Sequence, residues 1–300
     1  VQYIVGMVSS PVESLLSFLQ SYQDAKLSMD RLNEIYETEE EDDIKNDYLT
    51  KLPESKDIKI NNLTFRYYGA GNEPIFTKLN INFPAGKTTA IVGTSGSGKT
   101  TILKLLLRFY DYEEGEILVG GKKLENIDFS IWRDSCGAVL QDSFVYADTI
   151  ERNISLNDEV SDANRINNAI QVANLQGFIS GQPFGLATKI GTAGKGISQG
   201  QRQRLMIARA VYKEPEYIFL DEATNSLDAN NEREIIENLN NFFKNRTVII
   251  VAHRLSTVKN ADNIIVIDKG HIVEQGTHQQ LTKQKGQYFE LVKNQLELSR

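Results

Sequence analysis

Three kinds of hydrophobic pattern follow one another along the chain. The first runs from Val1 to about Tyr36. Val1-Gln2-Tyr3-Ile4-Val5-Gly6-Met7-Val8 is apolar, Ser9-Ser10-Pro11 interrupts it, and Leu15, Leu16, Phe18 and Leu19 resume it. From Gln20 the spacing stays helical but the residues turn polar, through Lys26, Asp30, Arg31 and Glu34. This predicts a helical segment over residues 1–36. Its apolar part is too short and too interrupted to span a bilayer alone, which takes about 20 residues. A proline such as Pro11 is tolerated in a membrane helix packed against neighbours. Two readings stand side by side: the end of a membrane-spanning helix that runs out into the cytoplasm, or an amphipathic helix packed on its own domain. The acidic run Glu37, Glu39, Glu40, Glu41, Asp42 and Asp43 has no apolar anchor and reads as solvated linker, taken as residues 37–56.

The second pattern is alternation. Ile58-Lys59-Ile60, Leu63-Thr64-Phe65-Arg66-Tyr67 and Leu79-Asn80-Ile81-Asn82-Phe83 switch between apolar and polar, as antiparallel strands with one covered face do. The third is the continuous β-branched or apolar run expected of buried parallel strands: Thr88-Thr89-Ala90-Ile91-Val92, Tyr217-Ile218-Phe219-Leu220 and Thr247-Val248-Ile249-Ile250-Val251-Ala252. Gly115 to Val119, Gly137 to Leu140, Asn263 to Ile267 and His271 to Val273 read as further strands. Helices are predicted over Thr101–Arg108, over Gln201–Tyr212, after an N-cap at Ser161, and from Gln287 to about Leu298. Residues 148–212 are the most helical stretch. Strands alternating with helices predict an α/β domain over 57–300 with a mainly parallel core.

Composition narrows the partners. The net charge is -7 with no long basic run, which argues against nucleic acid. The single cysteine, Cys136, forms no intramolecular disulfide and reads as a small buried residue. His271, His278 and Trp132 read as structural. The chain opens on Val1 and reads as a fragment or a processed chain.

The candidate chemistry starts at Gly93-Thr94-Ser95-Gly96-Ser97-Gly98-Lys99-Thr100, a complete G-x-x-x-x-G-K-T between a predicted strand and a predicted helix. Glycines let the main chain wrap an anion with its N–H groups inward, and the helix start adds its positive dipole end. Lys99 is placed for the β- and γ-phosphates of a nucleoside triphosphate, and the Thr100 hydroxyl for Mg²⁺. A buried strand then ends in Asp221-Glu222. The first carboxylate suits Mg²⁺ and the second suits a general base for an attacking water. Gln141 follows another apolar strand and can touch Mg²⁺ or water. His253 ends a third strand and can donate to a γ-phosphate. Gly194-Lys195-Gly196-Ile197-Ser198-Gln199-Gly200-Gln201-Arg202-Gln203-Arg204 is a glycine- and serine-rich loop that opens a helix and forms a second anion-binding N-terminus.

Together these stretches resemble the nucleotide-binding domain of an ATP-binding cassette (ABC) transporter of the exporter type, over about Ile58 to Val292. In the terms of that family, Tyr67 matches the aromatic that stacks on adenine, Gly93 to Thr101 the Walker A loop and Gln141 the Q-loop. Gly191 to Gly196 resembles the exporter loop, without its usual acidic residue. Ile197-Ser198-Gln199-Gly200-Gln201 matches the signature, with Ile for Leu and Gln199 for a glycine. Asp221 and Glu222 match Walker B and the catalytic glutamate, Ser226-Leu227-Asp228 the D-loop, and His253 the switch histidine.

The resemblance implies a P-loop NTPase with a RecA-like core, an antiparallel β subdomain and a helical subdomain over about 148–212, using ATP and Mg²⁺. It implies a head-to-tail homodimer in which Ser198 and Gly200 of one protomer cap ATP bound to the other. It assigns residues 1–36 to the end of a transmembrane domain, at the cytoplasmic face of the membrane. The exported substrate it implies is a peptide, as in exporters that carry a cysteine-peptidase domain; lipid and drug exporters have almost the same cassette. A soluble ABC ATPase acting on DNA or ribosomes and a cassette without turnover are the rival readings.

Overall fold

The computed structural model describes residues 2–38, 48–69, 71–156, 158, 160–191, 196–223, 229–252 and 254–298. It divides into two units, residues 1–47 and 48–300.

The first unit is one helix, α1 (Gln2–Tyr36), of 35 residues and about 52 Å at 1.5 Å per residue. The helix continues through Pro11, although a proline removes one main-chain donor there. Large apolar side chains along it, including Leu15, Phe18, Leu27 and Ile35, are exposed. Among the described residues no helix is long and apolar enough to cross a membrane. Glu37 closes the helix by donating its N–H to Asn33 O at 2.8 Å; the rest of the acidic run, from Glu39, lies outside the described residues.

The second unit follows in chain order as β1 (Ile58–Phe65), β2 (Phe76–Phe83), β3 (Thr88–Gly93), α2 (Lys99–Leu106), β4 (Glu114–Val119), β5 (Lys122–Lys123), α3 (Phe129–Asp134) and β6 (Cys136–Val139). Then come α4 (Ile150–Ser155), α5 (Ala163–Val172), α6 (Gln176–Ser180), α7 (Gln199–Tyr212), β7 (Tyr217–Asp221), α8 (Ala229–Phe242) and β8 (Thr247–Val251). The unit closes with α9 (Leu255–Val258), β9 (Asn263–Asp268), β10 (His271–Gly276), α10 (His278–Gln284) and α11 (Gln287–Leu298). A four-stranded sheet of order β2-β1-β4-β5 is antiparallel throughout. A six-stranded sheet has the order β10-β9-β3-β8-β7-β6, and only the β9–β10 pair is antiparallel.

The parallel strands carry continuous apolar runs because both of their faces are covered. Neighbouring residues go to opposite faces. Ala90 and Val92 of β3, Ile218 and Leu220 of β7, Val248 and Ile250 of β8, and Ile264 and Val266 of β9 pack with α5, α7 and α8 in one core. Ile91, Tyr217, Phe219, Ile249, Val251, Ile265 and Ile267 pack on the other side with α2 and the antiparallel sheet. The sheet is thus a partition between two cores.

Several local expectations change in detail. The two runs separated by Asn61-Asn62 are one strand, β1, with a bulge. Its register shifts between Ile60 and Leu63, Asn62 takes φ +49°, and its N–H donates to Asn80 Oδ1 at 2.9 Å. The N-cap of α5 is Asp162 rather than Ser161. Asp162 Oδ1 accepts from Asn164 N (2.8 Å) and Arg165 N (3.0 Å), and these N–H groups hold its carboxyl below the usual range; the Ser161 hydroxyl turns to Glu151. Helix α8 was not among the predicted elements, although Ile235, Ile236, Leu239 and Phe242 stand at helical spacing; Ile235 and Leu239 are buried.

Trp132 is structural, as expected. It is fully buried, its Nε1 donates to Leu106 O at 2.8 Å, and its ring lies 4.8 Å from that of Tyr217. Trp132→Ala opens a cavity and orphans that carbonyl, so urea unfolding of the domain should show a loss of about 3–5 kcal/mol. Cys136 is buried and desolvation pushes its thiol pKa up, which suppresses the thiolate. A disulfide-exchange reagent should therefore leave Cys136 unlabelled in the native protein and label it fully in denaturant.

Candidate functional site

The phosphate loop joins β3 to α2, and two of its glycines have physical reasons to be glycine. At Gly93, with φ +154°, a Cβ would overlap the main-chain oxygen of Ile267. At Gly98, the left-handed N-cap of α2, a Cβ would lie 2.6 Å from the Phe76 ring. Thr94 Oγ1 donates to Asp268 Oδ1 at 3.1 Å and ties the loop to the end of β9. Lys99 is 6% exposed, and its Nζ donates to Gly93 O (3.0 Å) and Thr94 O (2.7 Å). Burial lowers the Lys99 pKa, while Glu222 and then Asp221 draw it back up. The ammonium is therefore held inside the loop against opposing carboxylates.

Thr100, the next residue, donates from Oγ1 to Asp221 Oδ2 at 2.7 Å. Asp221 is buried at the end of β7. One hydrogen bond thus joins two groups 121 residues apart that were both expected to serve a divalent cation. The donor set, a hydroxyl, a carboxylate and the amide of Gln141, is all hard oxygen and suits Mg²⁺, which keeps waters and takes few protein ligands. Among the described residues no group of three His, Cys, Asp or Glu side chains could hold a metal, and an Mg²⁺ site completed by phosphate oxygens needs none. Ser97 is buried and its Oγ has no hydrogen-bond partner among the described residues, which fits a loop shaped to receive phosphate oxygens.

Glu222 follows at a sharp turn with φ +52°. Its N–H donates to Val251 O at 3.0 Å, and its main-chain oxygen accepts from Gln203 Nε2 at 2.9 Å. A cleft of about 250 Å³ brings Gln141, Gln199, Arg202 and Gln203 together with Asp221 and Glu222. Gln203 was not singled out in the sequence. Nothing but its place on the helix after the signature stretch marked it.

Tyr67 is half-buried beside α2. Its hydroxyl lies 3.0 Å from Thr101 Oγ1, and its ring meets those of Phe65 and Tyr110 edge-on at 5.0 Å each. At α7 the Ser198 hydroxyl accepts from Gln201 N at 3.1 Å, and Gln201 Oε1 accepts from Ser198 N at 2.9 Å, a complete capping box. Gln201 thus shapes the helix start. Ser198 keeps its hydroxyl proton available to donate, because capping uses only a lone pair. Among the described residues no hydrogen bond joins Ser198 or Gly200 to the phosphate loop, although Gln199, between them, lines the Glu222 cleft. Ser95 and Gly96 lie on the loop between Thr94 and Ser97. His253, Asp228 with Ser226 and Leu227, and Thr192 to Lys195 lie outside the described residues.

A match to the ABC transporter family covers residues 76–225. The ATP-dependent lipid A-core flippase of Photobacterium profundum is 40% identical over 283 residues, 94% of this chain and 48% of that protein. The toxin RTX-III translocation ATP-binding protein of Actinobacillus pleuropneumoniae is 42% identical over 297 residues, 97% of this chain and 40% of that protein. A structure of a bacterial Atm1-family ABC exporter with ATP bound superposes with a TM-score of 0.83 at 34% identity, over 91% of this chain and 47% of that one. The chain therefore spans about half the length, or less, of these relatives. With the phosphate loop, the Asp221-Glu222 strand end and the capped signature helix in one fold, the chain belongs to the ABC transporter family, as an ATP-binding domain of the exporter type.

Proposed function

We propose that this domain hydrolyses ATP and that the full protein uses the energy to export a substrate across a membrane. The observation that carries the reading is the Thr100–Asp221 hydrogen bond, which sets the loop hydroxyl and the Walker B carboxylate at one point beside Lys99 and Glu222. In this reading Gly93 to Thr101 hold the phosphates, and Lys99 turns from the Gly93 and Thr94 carbonyls to the β- and γ-phosphates. Thr100, Asp221 and Gln141 would hold Mg²⁺, which would supply positive charge against the phosphates. Tyr67 offers a ring face to the base. Glu222 accepts a proton from the attacking water, and His253 donates to the γ-phosphate.

The site is completed by a second protomer, whose Ser198, Gln199 and Gly200 with Gln201 present a helix N-terminus to the same phosphates, and Asp228 is a further residue proposed to serve the nucleotide. The complete capping box at Ser198 supports this part, because it fixes the start of α7 while using only a lone pair of the Ser198 hydroxyl. ATP is then part of the dimer interface and stabilises it by mass action. Hydrolysis removes that bridge and the protomers part.

Residues 1–36 would continue a transmembrane domain, with the ATPase at the cytoplasmic face. The exposed apolar side chains of α1 support a partner along its length. Phe144 and Tyr146 are also exposed, which supports Gln141 to Tyr146 as the contact with that membrane domain. A peptide is the proposed cargo, with a lipid or a drug as the alternative; the two named relatives translocate a toxin and flip a lipid, so binding of purified candidate cargoes by the full protein decides.

ATP turnover measured against protein concentration should rise faster than linearly. Glu222→Gln should lower it by at least roughly 10²–10⁴-fold while ATP binding persists. Wild-type turnover in that variant would remove Glu222 from its role, and strictly linear turnover would indicate a single-protomer site or a dimer already held by α1.

A further inference from the structure

Glu222 sits in the left-handed region, which a residue with a side chain occupies only where its surroundings enforce it. Both of its main-chain polar groups are held. The N–H is bound by Val251 O of β8 at 3.0 Å, and the C=O by the Gln203 amide of α7 at 2.9 Å. These two bonds fix the peptide planes on either side of the Glu222 Cα, and so the direction in which its carboxylate leaves the chain. The first bond belongs to the buried sheet. The second comes from the helix that begins at Ser198.

Two turns further along, the same helix grips a second element. Arg209 donates from Nη1 to Phe144 O (3.0 Å) and from Nε to Asn153 O (2.9 Å). Buried Asn153 in turn clamps Tyr146 by accepting from its N–H at 2.9 Å and donating to its C=O at 3.0 Å. One rigid helix thus holds the loop after Gln141 at one end, the Glu222 turn in its middle and the signature at its N-terminus.

We infer that Gln203 is a positioning residue for Glu222, which makes the aim of the base depend on the placement of α7. The inference rests on the reading of Glu222 as the base. In a two-protomer site α7 of one protomer caps the ATP of the other, so capping one site sets the base of its own protomer. A shift of α7 by an ångström takes the amide beyond hydrogen-bond range, and the turn at Glu222 then loses its tie to that helix's amide.

The test uses the full-length protein with Gln203→Met, which keeps length and bulk and removes the donor. The loss of one hydrogen bond should lower kcat about 3–10-fold, with KM for ATP and the affinity for a fluorescent ATP analogue changed less than twofold. Amide exchange in the segment Leu220–Ala223 should quicken while the rest of β7 stays protected. On a Glu222→Gln background the same substitution should change the residual rate less than twofold, because the two residues act through one group. If Gln203→Met does not fold, Gln203→Asn, whose shorter arm does not reach the carbonyl, is read in the same way. Wild-type kcat in Gln203→Met alongside an inactive Glu222→Gln overturns this inference alone. A full kcat loss persisting on the Glu222→Gln background also overturns it. Wild-type turnover in Glu222→Gln overturns the base assignment and this inference with it.

Discussion

A buried ammonium is the constraint on which the rest of this structure depends. Lys99 is desolvated in the phosphate loop, which lowers its pKa, while two main-chain carbonyls accept from its ammonium and Glu222 and Asp221 offset part of that burial. Those carboxylates stand at the end of β7, whereas the lysine follows β3, and β8 lies between the two strands in the sheet. The charge balance therefore requires parallel strands in register, with their C-terminal ends on one edge. The pairings Leu220–Ile250 and Ala90–Ile250 supply that register.

The sheet meets that requirement by being apolar on both faces. Its strands sort successive residues into two cores, one built with α5, α7 and α8 and the other with α2 and the antiparallel sheet. A one-residue slip of β7 would move Tyr217 and Phe219 to the wrong core and displace Asp221 from Thr100 at the same time. Stability and chemistry are thus set by the same register. Trp132 reinforces this by bonding to the last turn of α2 while packing on Tyr217 and Phe219.

Helix α7 is the second organising element. Its capping box defines where the signature begins, its middle holds the carbonyl of Glu222, and Arg209 near its end holds the Phe144 and Asn153 carbonyls. The same helix therefore touches each part of the proposed cycle that must move together: the cap for a partner's nucleotide, the base, and the loop proposed to meet the membrane domain.

Much of this was written in the sequence by itself. The phosphate loop, the continuous apolar strands, the Asp221-Glu222 strand end and the Ser198 helix start all depend on local spacing, and local spacing is what a chain encodes directly. Their grouping as a nucleotide site was legible because each stretch carries its own chemistry. What only the tertiary structure decided are the contacts between distant residues of ordinary type. Asn61-Asn62 looked like a break and is a bulge, because Asn80 on the next strand receives the displaced N–H. The cap of α5 moved from Ser161 to Asp162, whose Oδ1 accepts from both the Asn164 and Arg165 N–H groups. α8 is a different case: its stripe of Ile235, Ile236, Leu239 and Phe242 is present in the sequence among many Asn and Glu residues, and the core that buries Ile235 and Leu239 makes the helix plain. Gln203 had no mark at all: its role exists only where α7 passes the turn after β7, and a hydrogen bond to a main-chain oxygen leaves no pattern along the chain.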